Sequence, residues 1–95
     1  MGLKETYQDK VSARLKELDA QVEKVLGRAD KATAEAQAKS REQLEELRNK
    51  QQQARAKLKE LEGAGESAWE DIRAGTEEAM TELRSALTAA RSRFQ

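Results

Sequence analysis

The sequence contains no cysteine, no histidine and no proline, and each absence closes off a class of structure or chemistry. Without cysteine there is no disulfide framework and no thiol nucleophile. Without histidine the chain lacks the commonest general base and the commonest nitrogen ligand for metals. Without proline nothing forbids long uninterrupted helices. Aromatic residues are scarce too, with one Trp, one Tyr and one Phe. No apolar run reaches membrane-spanning length. Charge of either sign is not in excess, since 18 basic residues balance 18 acidic ones. A dedicated nucleic-acid binder normally carries a basic surplus, so no nucleic-acid partner is expected. The opening MGLKETYQDK has no apolar signal core, and a cytoplasmic protein is expected.

What remains is a helix-former's alphabet. The 95 residues leave room for one small domain. Charged residues make up 38% and hydrophobic ones 37%, with a mean hydropathy of −0.96. Polarity of that order would also suit disorder, so periodicity has to decide. Tyr7, Val11, Leu15, Leu18, Val22 and Val25 recur at steps of four and three, the stripe of an amphipathic helix. Ala29, Ala32 and Ala36 carry it on without bulk, and Ser40, Leu44, Leu47, Gln51, Ala54, Leu58 and Leu61 complete it. No large apolar side chain lies between Gly27 and Gln43.

Gly63 and Gly65 then interrupt, and glycine commonly follows a helix end because it reaches left-handed backbone angles without a clash. Ser67 stands three residues before Glu70, the spacing of a capping box. The stripe resumes at Ala68 or Trp69, then Ile72, Thr76, Ala79, Leu83, Ala86 or Leu87, Ala90 and Phe94. Folding at the glycines pairs Leu58 with Ile72, Leu47 with Leu83 and Leu44 with Ala86 or Leu87 in antiparallel order. The two successive steps of four at Ala36, Ser40 and Leu44 meet a matching pair at Ala86, Ala90 and Phe94. A basic block from Arg48 to Lys59 then lies beside an acidic one from Glu60 to Glu82, favouring that orientation. The expected hairpin core is Leu44, Leu47, Leu58, Leu61, Trp69, Ile72, Leu83, Leu87 and Phe94. Trp69 reads as a plug at the hairpin end against Leu58 and Leu61, with an exposed binding handle as the alternative.

The first third needs a partner for its own stripe, and two arrangements are open. In one, the helix continues through Gly27, at about 1 kcal/mol, and runs over residues 3–62, with a turn at 63–66 and a second helix over 67–94. A second chain then covers Tyr7, Val11, Leu15, Leu18, Val22, Val25, Ala29, Ala32 and Ala36, in an antiparallel dimer about Val22. In the other, a turn near Gly27, capped by Asp30, makes a monomeric three-helix bundle with Val22, Leu18, Leu15 and Val11 folded onto Ala36, Ser40, Leu44 and Leu47. The unbroken stripe across Val25, Ala29 and Ala32 favours the continuous helix. The expected fold is therefore all-α, an antiparallel coiled-coil hairpin that dimerises.

The stretches YQDKVSARLKELDAQVEKV, RADKATAEAQAK, QLEELRNKQQQARAKLKEL and AGESAWEDIRAGTEEAMTELRSAL resemble a group of small uncharacterised bacterial coiled-coil proteins. The marks are an A-D-K-A segment at Ala29–Ala32 and an A-W-E-D motif at Ala68–Asp71 opening the last helix. That group usually carries a helix former where this chain has Gly27. The resemblance implies a helical coiled coil and brings no activity, cofactor or catalytic residue.

Chemistry finds little foothold. The carboxylate pairs Glu45–Glu46 and Glu77–Glu78 point to different azimuths, and nothing in the sequence buries them. GAGES lacks the lysine and the preceding strand of a phosphate loop. No enzyme, cofactor or metal site is expected. The reading is a structural or adaptor protein acting through helix–helix association, with itself or another protein. The alternative is an amphipathic, membrane-surface or stress-protective chain that becomes helical on lipid.

Overall fold

A computed structural model describes residues 2–94. Three helices account for nearly all of it: α1 (Leu3–Lys31), α2 (Ala34–Gly63) and α3 (Trp69–Ser92). They pack up, down and up into a bundle 50 Å long and 19 by 16 Å across. The described residues form no strand, and no helix is long and apolar enough to cross a membrane.

The single helix expected over residues 3–62 is broken, though not at Gly27. α1 runs through Gly27 to Lys31, and Asp30 lies inside it rather than capping the next helix. The break is Ala32–Thr33, and Thr33 is the N-cap of α2, its hydroxyl accepting from Ala36 N at 3.2 Å. Gln37 adds a second tie, donating its side-chain amide to Ala29 O at 2.8 Å. Both bonds satisfy backbone groups that a helix end leaves free. The return of the chain lets α2 and α3 cover Val11, Leu15, Leu18, Val22 and Val25 of the α1 stripe, as in the three-helix alternative. Gly27 itself is an exposed helical residue, and a Cβ placed on it would meet nothing within 4 Å. Gly27→Ala should therefore stabilise the protein by about 0.5–1 kcal/mol, measured as a higher urea midpoint with an unchanged slope.

The second turn follows a different route from the one its glycines suggest. α2 stops at Gly63 because Ala64 is extended, and no described residue takes a positive φ. Ala68 N and Trp69 N both donate to Gly65 O, at 3.1 and 3.2 Å, winding one tight turn into α3. The N-cap position falls on Ala68, with no side-chain bond, so the Ser67–Glu70 capping box does not form. α2 has no basic residue in its last turn. Lys4 of α1 takes that role, its ammonium donating to Glu62 O at 3.3 Å. A cation there also meets the negative end of the helix dipole.

α2 and α3 pair antiparallel, with Lys50 bonded to Glu82 at 3.2 Å and Lys57 lying against Gly75. The register of α1 on α2 differs from the one expected. Asp19 meets Gln51 and Arg55, and Lys4 reaches Glu62, so α1 packs further down α2 than a turn near Gly27 would allow. α1 and α3 run parallel, with Tyr7 beside Trp69 at one end and Gln21 beside Arg91 towards the other. One core runs the length of the bundle, from Trp69 and Leu61 through Leu83 and Leu47 to Val25 and Ala90. Ser40 and Thr76 are satisfied locally, donating to Ala36 O and Ile72 O one turn back. Buried Gln51 donates across to Asp19 of α1, while the Gln43 Oε1 is buried without a partner among the described residues.

Candidate interaction surfaces

Most of the residues expected to meet a second chain are covered within their own chain. Val11, Leu15, Leu18, Val22, Val25 and Ala29 are buried, while Tyr7, Ala32 and Ala36 are half-buried. Of the expected hairpin core, Leu47, Leu61, Trp69, Leu83 and Leu87 are buried. Leu44, Leu58, Ile72 and Phe94 are half-buried against the same cluster. The stripes miss Met80 and Leu26, which also join this core. The only large apolar side chain left exposed among the described residues is Leu3, at 76%.

The end of the bundle near the second turn gathers the aromatic chemistry. The Tyr7 and Trp69 rings lie 5.8 Å apart, centre to centre, tilted by 33°. The Arg73 guanidinium sits 5.2 Å from the Tyr7 ring centre and 6.0 Å from that of Trp69. Tyr7 donates its phenolic proton to Glu77 of α3. Burial pushes the Tyr7 phenol well above its ordinary range, and the Glu77 carboxylate that accepts its proton pushes the same way. Arg73 and Arg14 oppose the shift without reversing it. As a hydrogen-bond donor to Glu77, the phenol ties α1 to α3. Trp69, at 5% exposure, closes this end rather than projecting from it.

The charge blocks meet less directly than their sequence order suggests. Lys50–Glu82 is the pair that spans α2 and α3. Lys57 pairs within its own helix with Glu60, and Arg55 turns to Asp19 on α1. Exposed pairs of this kind contribute little each, roughly 0.2–1 kcal/mol.

The seam between α1 and α3 is different. Two adjoining hollows there share Gln21 and Arg91, and their walls carry Arg14, Lys24, Arg28, Arg84 and Arg91. Glu17 is the one carboxylate lining them. Arg91 donates to the Gln21 carboxamide at 2.6 Å, which fixes it across the seam. Among the described residues only Arg14 of the five lies within 4 Å of a carboxylate, Glu77 at 3.7 Å. A chain of zero net charge thus concentrates cations along one line, four of the five without a carboxylate within 4 Å among the described residues. This feature was open to sequence reasoning: Arg14, Lys24 and Arg28 each stand one residue before a stripe position. They flank the buried arc and face the neighbouring helix. The described residues hold no group of three or more carboxylates positioned to share a metal ion.

The chain matches no family model, no curated protein and no solved structure.

Proposed function

We propose that this is a non-enzymatic structural or adaptor protein of the cytoplasm, which works through helix–helix association and offers its α1/α3 seam to an acidic segment of another protein. The observation that carries the reading is the line of five cations against one carboxylate, on a chain whose own apolar stripes are already covered. From Arg14 to Arg28 the seam runs on the order of 21 Å at 1.5 Å per residue. That length suits about four turns of an acidic helix laid between α1 and α3. The seam has no aromatic side chain on which bases could stack, which disfavours single-stranded nucleic acid. Four of the five cations are arginines, whose planar forks hold carboxylates in fixed geometry.

The lipid-dependent alternative draws on the same cations, but a lipid-inserting helix needs an apolar face to bury. Leu3 alone does not make one. The test is fluorescence anisotropy with a labelled, glutamate-rich amphipathic peptide of about 15 residues. Arg84→Glu should weaken its binding by roughly tenfold at low salt, because it both deletes and reverses a charge. Lys39→Glu, on α2 and paired with Glu35, should leave binding unchanged. Circular dichroism in dilute buffer should show a helical, cooperatively melting chain. A coil that gains helix only on anionic vesicles, with no peptide binding, would replace this reading by the lipid one.

A further inference from the structure

The first turn is the least committed piece of the fold. Ala32 has φ −75° and ψ 162°, and Thr33 has φ −64° and ψ 159°. Both φ values already lie where an α-helix wants them. Rotating two ψ angles would turn this corner into two more helical residues. No glycine, proline or left-handed residue enforces the corner, and alanine, the best helix former, lies on both sides at 29, 32, 34, 36 and 38. The straight form would also close the backbone bonds that the corner leaves open at the end of α1 and the start of α2. The corner itself is held by the Thr33 hydroxyl on Ala36 N and the Gln37 amide on Ala29 O.

We propose that α1 exchanges between two copies of this chain: Ala32–Thr33 straightens, and the α1 of each copy seats on the α2/α3 hairpin of the other. The proposal goes beyond the adaptor reading and does not depend on the cationic seam. The occupant of the groove is specified by the fold, because the hairpin already accepts an identical α1 from its own chain. Every α1 contact is kept, including Asp19 to Gln51 and Tyr7 to Glu77, and only the corner changes. Such an exchange is two-fold symmetric and closes as a dimer. The observed α1/α2 register puts the two-fold axis beside Thr33, not at Val22. The two straightened helices then cross where Ala29, Ala32 and Ala36 supply the small side chains that a close crossing needs. α2 and α3 share the most extensive interface of the three pairs, and the exchange leaves that interface within one chain.

Two substitutions separate the forms. Ala34 is exposed and is the first residue of α2, where proline is well accommodated. Thr33 before it already has the extended backbone that a residue preceding proline prefers. Ala34→Pro should therefore fold as a monomer, while penalising the straight helix by a hundredfold or more per corner. Thr33→Ala removes the cap that holds the corner and should raise the dimerisation constant roughly tenfold or more, since two corners open per dimer. The chain is concentrated, warmed to its melting midpoint, cooled, and sized by light scattering. Asp19→Cys with Gln51→Cys, bridged by a short bismaleimide, reports where each α1 sits. The expected result is a dimer in the wild type, more of it in Thr33→Ala and none in Ala34→Pro, with bridges joining two chains in the dimer fraction. Monomeric wild type and Thr33→Ala, an Ala34→Pro that dimerises equally, or a dimer bridged only within single chains would each overturn the exchange. Peptide binding at the α1/α3 seam is measured separately and can survive any of these outcomes.

Discussion

Trp69→Ala is expected to remove about 3–5 kcal/mol of folding stability, read as a fall in the urea midpoint. A domain of this size commonly has a total of about 5–15 kcal/mol, so this one side chain carries a large share. The reason is position as much as area. Trp69 opens α3, packs with Leu61 in the core and faces Tyr7 of α1, so its ring joins all three helices where the second turn leaves the bundle open. Arg73 loses one of its two ring partners in the same change. Were the indole a surface handle for a partner, the same substitution would shift stability by no more than about 0.5 kcal/mol, and that result would dismiss the plug.

Leu18→Asp should be at least as damaging, at about 4 kcal/mol or more, because it places a carboxylate in the apolar layer that α1 brings to the hairpin. Leu18 is buried in the shared core cluster with Leu15, Leu47 and Leu87. The chain cannot lose α1 cheaply, since doing so would uncover the other half of that cluster. Circular dichroism should show the loss of a single cooperative transition for the entire chain. An arm awaiting a second chain would behave otherwise: the arm would stay loose and the hairpin of α2 and α3 would melt as in the wild type. Persistence of that hairpin transition would count against a shared three-helix core.

The difference between the two turns explains how much of this fold could be read from its residues. The second turn is announced by Gly63 and Gly65 and by the acids that follow, although the bonds that form it are backbone ones to Gly65 O rather than the Ser67 cap. The first turn carries no breaker. Its cap, Thr33, has Ala36 rather than Glu or Gln three residues on, so no capping box marks it. Local propensity there favours a straight helix, and the chain bends because burial of Val11 to Val25 within one molecule outweighs it. Met80 escaped the stripe for a related reason. α3 touches α1 as well as α2, its partner in the most extensive interface, whereas the hairpin stripe is drawn against α2 alone. The buried arc is therefore wider and takes in Thr76, Ala79, Met80, Leu83, Ala86 and Leu87 together. The apolar layers were legible because they are periodic. The cationic seam was legible only in part: Arg14, Lys24 and Arg28 flank the α1 stripe, but which helix lies beside them follows from the first turn.

The up, down, up order of the helices has an electrical consequence. Two helix N-termini, at Leu3 and Trp69, share one end of the bundle with a single C-terminus. Two macrodipoles point one way and one the other, leaving an uncancelled remainder of about half a charge at each end. The side chains oppose it: Glu5, Glu66, Glu70 and Asp71 collect at the end with two N-termini, and Arg28, Lys31, Arg91 and Arg93 at the other. A molecule with no net charge is therefore polarised along its 50 Å axis. In dilute salt, neighbouring molecules meet as opposed poles rather than as neutral bodies, and about 10 Å of screening at 0.1 M ionic strength is enough to blind one end to the other.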